Sequence, residues 1–108
     1  MVYNEEMDKL LNNIVSKWKK VIKKKMFGGT GYLLNGNMVA GIYKDYYIIR
    51  LGEENANAAI KSPNINLLDI TGRPMKGWVM IGEDSVSKDN LISWLKKAKE
   101  FVLNLPPK

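Results

Sequence analysis

Residues 5–24 place Met7, Leu10, Leu11, Ile14, Val15, Trp18, Val21 and Ile22 at steps of three and four. One apolar stripe at that period predicts a helix over 5–24. Asn4 is the expected N-cap, and Glu5, Glu6 and Asp8 put negative charge at the positive end of the helix dipole. Lys19, Lys20, Lys23 and Lys24 lie at the other end, where cations are favoured, and Gly28 supplies a stop.

From Gly31 to Leu51 the period switches to two. Asn35-Gly36 is a strong hairpin signal and predicts a type I′ turn between Tyr32–Leu34 and Asn37–Tyr43. Lys44-Asp45 closes a second predicted hairpin onto Tyr46–Leu51. If Leu34 faces Asn37, then Leu33 faces Met38. If Tyr43 faces Tyr46, then Ile42 faces Tyr47, Ala40 faces Ile49 and Met38 faces Leu51. The predicted core face is therefore Leu33, Met38, Ala40, Ile42, Tyr47, Ile49 and Leu51, apolar or aromatic throughout. Ile42 and Ile49 are expected to lie under the first helix. Tyr32, Leu34, Val39, Gly41, Tyr43, Tyr46, Ile48 and Arg50 fall on the opposite face, which carries more tyrosine than a solvent face needs.

Glu53–Lys61 is rich in helix formers and ends at Ser62-Pro63. Asn66–Ile70 and Gly77–Ile81 read as two strands joined through Thr71–Met75, with Pro74 confining that segment to a turn or an edge. Ser87 caps a last predicted helix, about 88–104, with Leu91, Leu95, Ala98, Val102 and Leu105 as its core stripe. The predicted fold is α+β and two-layered: an antiparallel sheet with helices packed on one face, in the order α-β3-α-β2-α. At 108 residues it forms one domain, 1–108.

Composition narrows the chemistry. Neither Cys nor His occurs, which removes disulfides, thiol nucleophiles, imidazole bases and the usual zinc ligands. Seventeen basic against eleven acidic residues give a net charge of +6, which favours polyanionic partners without establishing one. The cations are mostly Lys; only Arg50 and Arg73 offer a bidentate fork. No apolar run reaches membrane-spanning length and the opening MVYNEEMDK is no signal peptide. The expected location is cytoplasmic.

The stretch KKKMFGGTGYLLNG (23–36) joins lysines to glycines, as phosphate-holding loops do. A phosphate cradle opens a helix, however, and here a strand is predicted to follow. Lys17, Lys20 and Lys24 share one face of the predicted helix and form the candidate nucleic-acid contact, against the plainer reading of a solvated face. Tyr32, Tyr43, Tyr46 and Ile48 form the candidate protein interface; a covering loop and base stacking are the other two readings of that surface. Glu53-Glu54 and Glu83-Asp84 sit at element ends and bring no two carboxylates together. No catalytic residue, metal ligand or cofactor site is expected.

Met26-Phe27-Gly28-Gly29-Thr30-Gly31, the Asn35-Gly36 hairpin and Gly72-Arg73-Pro74-Met75 together resemble the N-terminal domain of TfoX (Sxy) competence regulators. The resemblance spans nearly the whole chain and implies a two-layer α+β fold. It also implies a structural role for Met26, Phe27, Gly28, Gly29, Gly31, Gly72, Pro74 and Met75, with Phe27 and Met75 as core plugs. Arg73 either braces carbonyls or a carboxylate, or binds a ligand. Family regulators activate DNA-uptake genes with the cyclic-AMP receptor protein and carry a second helical domain; this chain is expected to be a stand-alone member. The resulting expectation is a non-enzymatic regulatory or protein-interaction domain, associated with DNA through a partner and self-associating or binding another protein. The alternative is a small basic module that binds nucleic acid directly.

Overall fold

The computed structural model describes residues 5–26, 29–43, 46–62, 65–69, 75–82 and 87–106. Three helices and six strands follow one another as α1 (Glu5–Val15), β1 (Val21–Met26), β2 (Gly29–Leu34), β3 (Asn37–Tyr43), β4 (Tyr46–Arg50), α2 (Glu53–Ala59), β5 (Ile65–Leu68), β6 (Met75–Gly82) and α3 (Lys88–Leu103). The strands form a single antiparallel sheet in the order β1-β2-β3-β4-β6-β5. This is the expected α+β class, with one strand more than predicted.

The additional strand comes from the second half of the predicted first helix. α1 ends at Val15, and the chain turns through Lys20, whose φ of 63° is left-handed. The Lys20 carbonyl then accepts from Asn35 N–H at 3.2 Å, fixing the turn against the β2–β3 hairpin. Val21–Met26 pair with Leu34–Gly29 along the edge of β2. Both Val21 and Ile22 fit the helical stripe, but a strand sends adjacent side chains to opposite faces, so Val21 packs on the core and Ile22 points away from it. Pairing satisfies the backbone N–H and C=O groups that an uncovered β2 edge would leave to solvent. Ile22, assigned to the helical stripe, is 60% exposed instead. The stop expected at Gly28 therefore has no helix to end, and Gly28 itself lies outside the described residues.

The β2–β3 turn has the predicted geometry: Asn35 and Gly36 both have positive φ, at 54° and 83°. The β3–β4 register is also as predicted, with Tyr43 opposite Tyr46, Ile42 opposite Tyr47 and Ala40 opposite Ile49. The turn residues of that hairpin, Lys44 and Asp45, lie outside the described residues, as does the expected N-cap Asn4. In β2 the prediction fails after two residues. Leu34 pairs with Asn37 and Leu33 with Met38, but Tyr32 then pairs with Ala40. Val39 is the extra residue of a β-bulge, and the bulge exchanges the faces of β2 relative to an unbroken ladder. Tyr32 and Leu34 therefore point into the core, and Leu33 points away from it.

A single apolar cluster joins this face of the sheet to all three helices. It contains Met7, Leu11 and Val15 of α1, Ala56 and Ala59 of α2, and Leu91, Leu95, Ala98 and Val102 of α3. From the sheet come Tyr32, Leu34, Val39, Ala40, Ile42, Tyr47, Ile49, Ile65, Val79 and Ile81. Ile42 and Ile49 are buried as expected, but α3 rather than α1 is the helix that lies along β2, β3 and β4. α3 begins as its sequence predicts: the Ser87 hydroxyl accepts from Asn90 N–H at 3.2 Å. Beyond its end, Asn37 Nδ2 donates to the Pro106 carbonyl at 2.9 Å, tying the chain back to β3.

Candidate functional site

Asp8 is the one buried acid among the described residues, 4% exposed. Its position follows from helical spacing, since residues 8, 11 and 15 fall on one side of α1 and Leu11 and Val15 are fully buried. A carboxylate carried inward must be hydrogen-bonded there. The Tyr32 hydroxyl donates to Oδ1 at 2.5 Å, and the Lys23 ammonium donates to Oδ2 at 2.6 Å. Lys23 also stands 6.0 Å from the centre of the Tyr32 ring. Burial pushes the Tyr32 phenol well above its ordinary range, and both the hydrogen bond to Asp8 and that group's negative charge add to the shift. The triad joins α1, β1 and β2, and both oxygens of the Asp8 carboxylate accept a hydrogen bond within it. No group of metal-ligating side chains occurs among the described residues.

Tyr32 was expected on an exposed protein interface. It is 1% exposed instead, because the bulge at Val39 turns it inward. Sequence reasoning missed the triad as a unit, treating Asp8 only as a charge for the helix dipole. Its spacing from Leu11 and Val15 was the available signal.

The other residues of the candidate interface do share a surface. Ile48 alternates with the core residues Tyr47 and Ile49, and pairs with Gly41 and Met80 on the face away from the helices. Ile22, Leu33, Met38, Tyr43, Tyr46 and Trp78 lie on that same face by register. Tyr46 is 39% exposed and Tyr43 half-buried, whereas Ile48 is 2% exposed and forms the floor. Arg50 carries its guanidinium 5.4 Å from the Trp78 ring centre and 5.8 Å from that of Phe101, so its cation is already engaged by aromatic rings.

The lysine trio does not share a helix face. Lys17 lies in the turn after α1, Lys20 holds the left-handed position of that turn, and Lys24 sits on β1 opposite Gly31. The expected footprint assumed a helix running to residue 24; its end at Val15 disperses the three cations.

Of the glycine-rich motif, Gly29 and Gly31 are described. Gly29 opens β2 where a Cβ would run into the Ile42 carbonyl, so close strand approach requires glycine there. Gly31 faces Gly41, and a Cβ on Gly41 would stand 2.5 Å from the Thr30 carbonyl oxygen and 3.2 Å from Gly31 Cα. The tract therefore permits tight pairing of β2 with β3, and it opens a strand where a phosphate cradle would open a helix. Phe27, Gly28, Gly72, Arg73 and Pro74 lie outside the described residues. Met26 ends β1, and Met75 starts β6 opposite Leu68.

The glycines packed between β2 and β3 fall inside a longer match: the sequence model of the TfoX N-terminal domain covers residues 13–102. The chain belongs to the TfoX N-terminal domain family. A search of curated protein sequences returns no match. The matched region contains all six strands and α2 whole, most of α3 and only the end of α1. Asp8 precedes the matched region, so the triad anchors a segment of this TfoX N-terminal domain outside the match to Tyr32 and Lys23 within it. Among the described residues no helix is long and apolar enough to cross a membrane.

Proposed function

We propose that this TfoX N-terminal domain is a non-enzymatic regulatory or protein-interaction module that docks a protein surface on the open face of its sheet. The observation that carries this reading is the position of the helices. All three pack on one side of the sheet, while the other side bears Ile22, Leu33, Met38, Tyr43, Tyr46 and Trp78, none of them fully buried. Two tyrosines, a tryptophan and a methionine are residue types enriched in interface cores. The first occupant to test is a second copy of the chain. The non-enzymatic reading is supported by the absence of His and Cys and by the engagement of Asp8 with Tyr32 and Lys23.

Salt separates this mode of association from nonspecific polyanion binding. Contact through the open face buries apolar area, and two chains of net charge +6 repel one another. Self-association is therefore expected to hold or strengthen from low to high salt, by sedimentation velocity, and to be lost in Tyr43→Ser/Tyr46→Ser. Duplex DNA binding through dispersed lysines is expected to be weak, with dissociation constants on the order of 10⁻⁴–10⁻⁶ M, and to fall steeply with salt. A chain that stays monomeric at every salt concentration excludes the second copy as occupant. Sequence-selective DNA binding that persists at about 0.2 M salt would instead make the domain a direct nucleic-acid reader.

A further inference from the structure

A cleft of about 310 Å³ opens on the helical side of the domain, between the end of α1 and the outer side of α3. Ile14, Trp18 and Ile92 supply its apolar walls, and Lys17, Lys88 and Lys96 stand around it. No acid lines it, and none of the three ammonium groups is ion-paired among the described residues. Lys99 adds a fourth cation, its Nζ 5.3 Å from the centre of the Trp18 ring. We infer that this cleft is a binding site for a small organic polyanion: an apolar or aromatic body of one or two rings carrying at least two phosphate, carboxylate or sulfonate charges.

The chemistry follows from the lining. Three ammonium groups held around one concavity repel one another and raise the local potential, and an anion placed among them relieves that repulsion. An inorganic anion would satisfy the lysines but leave the walls of Ile14, Trp18 and Ile92 wet. A neutral ring would cover the walls and leave the cations unneutralised. One ligand carrying both features satisfies both. The volume falls at the lower end of small-ligand pockets, which favours a small molecule over a polymer. Lysine is suited to the task as a flexible point cation, free to adjust to tetrahedral or planar anions. The positions also account for a charge pattern that α3 does not need for folding. Lys88, Ile92, Lys96 and Lys99 recur along one side of the helix, next to the buried stripe of Leu91, Leu95, Ala98 and Val102.

The test uses the full chain labelled with ¹⁵N and two probes, 1-naphthyl phosphate and adenosine 5′-diphosphate. Their separated halves, 1-naphthol, adenosine and inorganic phosphate, are titrated at the same ionic strength. At least one probe is expected to shift the amides of residues 13–18 and 88–96 saturably, with affinity at least about tenfold above either of its halves. Lys17→Gln/Lys96→Gln should weaken that probe by about tenfold or more, while the folded spectrum is retained and Lys24→Gln leaves binding unchanged. Trp18→Leu should weaken the probe more than it weakens inorganic phosphate. The inference is overturned if neither probe shifts these amides, or if inorganic phosphate binds as tightly as the probes. It is likewise overturned if a short single-stranded oligonucleotide binds through Lys17 and Lys96 far more tightly than either probe, which would make the cleft part of a nucleic-acid groove. None of these outcomes depends on the open sheet face, so this site and the docking face stand or fall separately.

Discussion

Replacing Asp8 tests whether the buried triad holds α1 on the sheet. The Asp8 side chain is 6% exposed and accepts from two donors that differ in their access to water. Tyr32 is 1% exposed, so in Asp8→Ala its hydroxyl is left buried without a partner, a loss of about 1–3 kcal/mol. The Lys23 side chain is 46% exposed and simply returns to solvent, so its share is about 0–1 kcal/mol. Asp8→Ala is therefore expected to cost about 1–4 kcal/mol, Tyr32→Phe about 1.5–3 kcal/mol and Lys23→Ala no more than about 1 kcal/mol. Tyr32→Phe belongs in that range because it withdraws one of two donors from a buried charge and leaves the ring packing in place.

The assay is urea unfolding of the three single variants and of the two double variants that include Asp8→Ala. The denaturant slope is required to stay constant. In the cycle for Asp8 and Tyr32 the coupling energy should reach about 1.5–3 kcal/mol, whereas for Asp8 and Lys23 it should stay below about 1 kcal/mol. Lys23→Ala as costly as Asp8→Ala would refute the reasoning, because the ion pair rather than the buried hydroxyl would then carry the energy. Additive losses for Asp8 and Tyr32 would refute it as well.

Three further outcomes follow from the bulge, the turn and the phenol. Leu34→Ala is expected to cost about 2–5 kcal/mol and Leu33→Ala distinctly less in the same urea melts, since only Leu34 reaches the core; the reverse order would place the bulge elsewhere. Lys20→Gly is expected to raise stability by about 0.5–1 kcal/mol and Lys20→Val to lower it, because the left-handed φ of 63° strains a branched residue most; thermal melts of the pair decide it. The Tyr32 phenol is raised in the folded state above its unfolded value of about 10, so its contribution is fully present below pH 10 and is lost as pH climbs through the folded value. Stability should therefore decline above about pH 10, and Tyr32→Phe should flatten that decline in melts run from pH 9 upward.

The parts of the fold legible from sequence were those specified locally. Asn35-Gly36 marks its turn because both residues must take positive φ, and Ser87 marks the start of α3 because a hydroxyl must satisfy an orphan N–H there. The stripe of Leu91, Leu95, Ala98 and Val102 has no competing period. What failed was set by tertiary pairing. Val21–Met26 becomes a strand along the edge that β2 offers, and Val39 becomes a bulge where the β2–β3 ladder shifts register. Both misreadings propagated to function. The helix error gathered Lys17, Lys20 and Lys24 on one face, and the bulge error put Tyr32 outside. The triad escaped notice because an acid on an apolar stripe declares its burial but not its partners. The cleft escaped because Lys17 and Trp18 meet Lys88, Ile92 and Lys96 only when α1 stops short and α3 lies beside it.

The edges of the sheet bear on how a partner would approach. An open antiparallel sheet has two, and each invites another strand to add on. Here one edge is β1, with Lys23, Lys24 and Lys25 in succession, and the other is β5, only four residues long. Lys24 and Lys25 put cations on both faces of the β1 edge, while Lys23 is paired with Asp8, so a second β1 laid against it would meet like charge over that stretch. A four-residue edge offers too few ladder bonds to hold a strand by itself. Strand addition is thus disfavoured at both ends, and face-on contact through the tyrosines, Trp78 and the methionines remains. Met38 and Met80 suit that mode, because unbranched thioether side chains adapt to a partner's contour at little steric cost. Of the three lysines expected to form a polyanion footprint, only Lys24 lies on this edge, where with Lys25 it opposes strand pairing and would leave the open face as the route for the proposed docking.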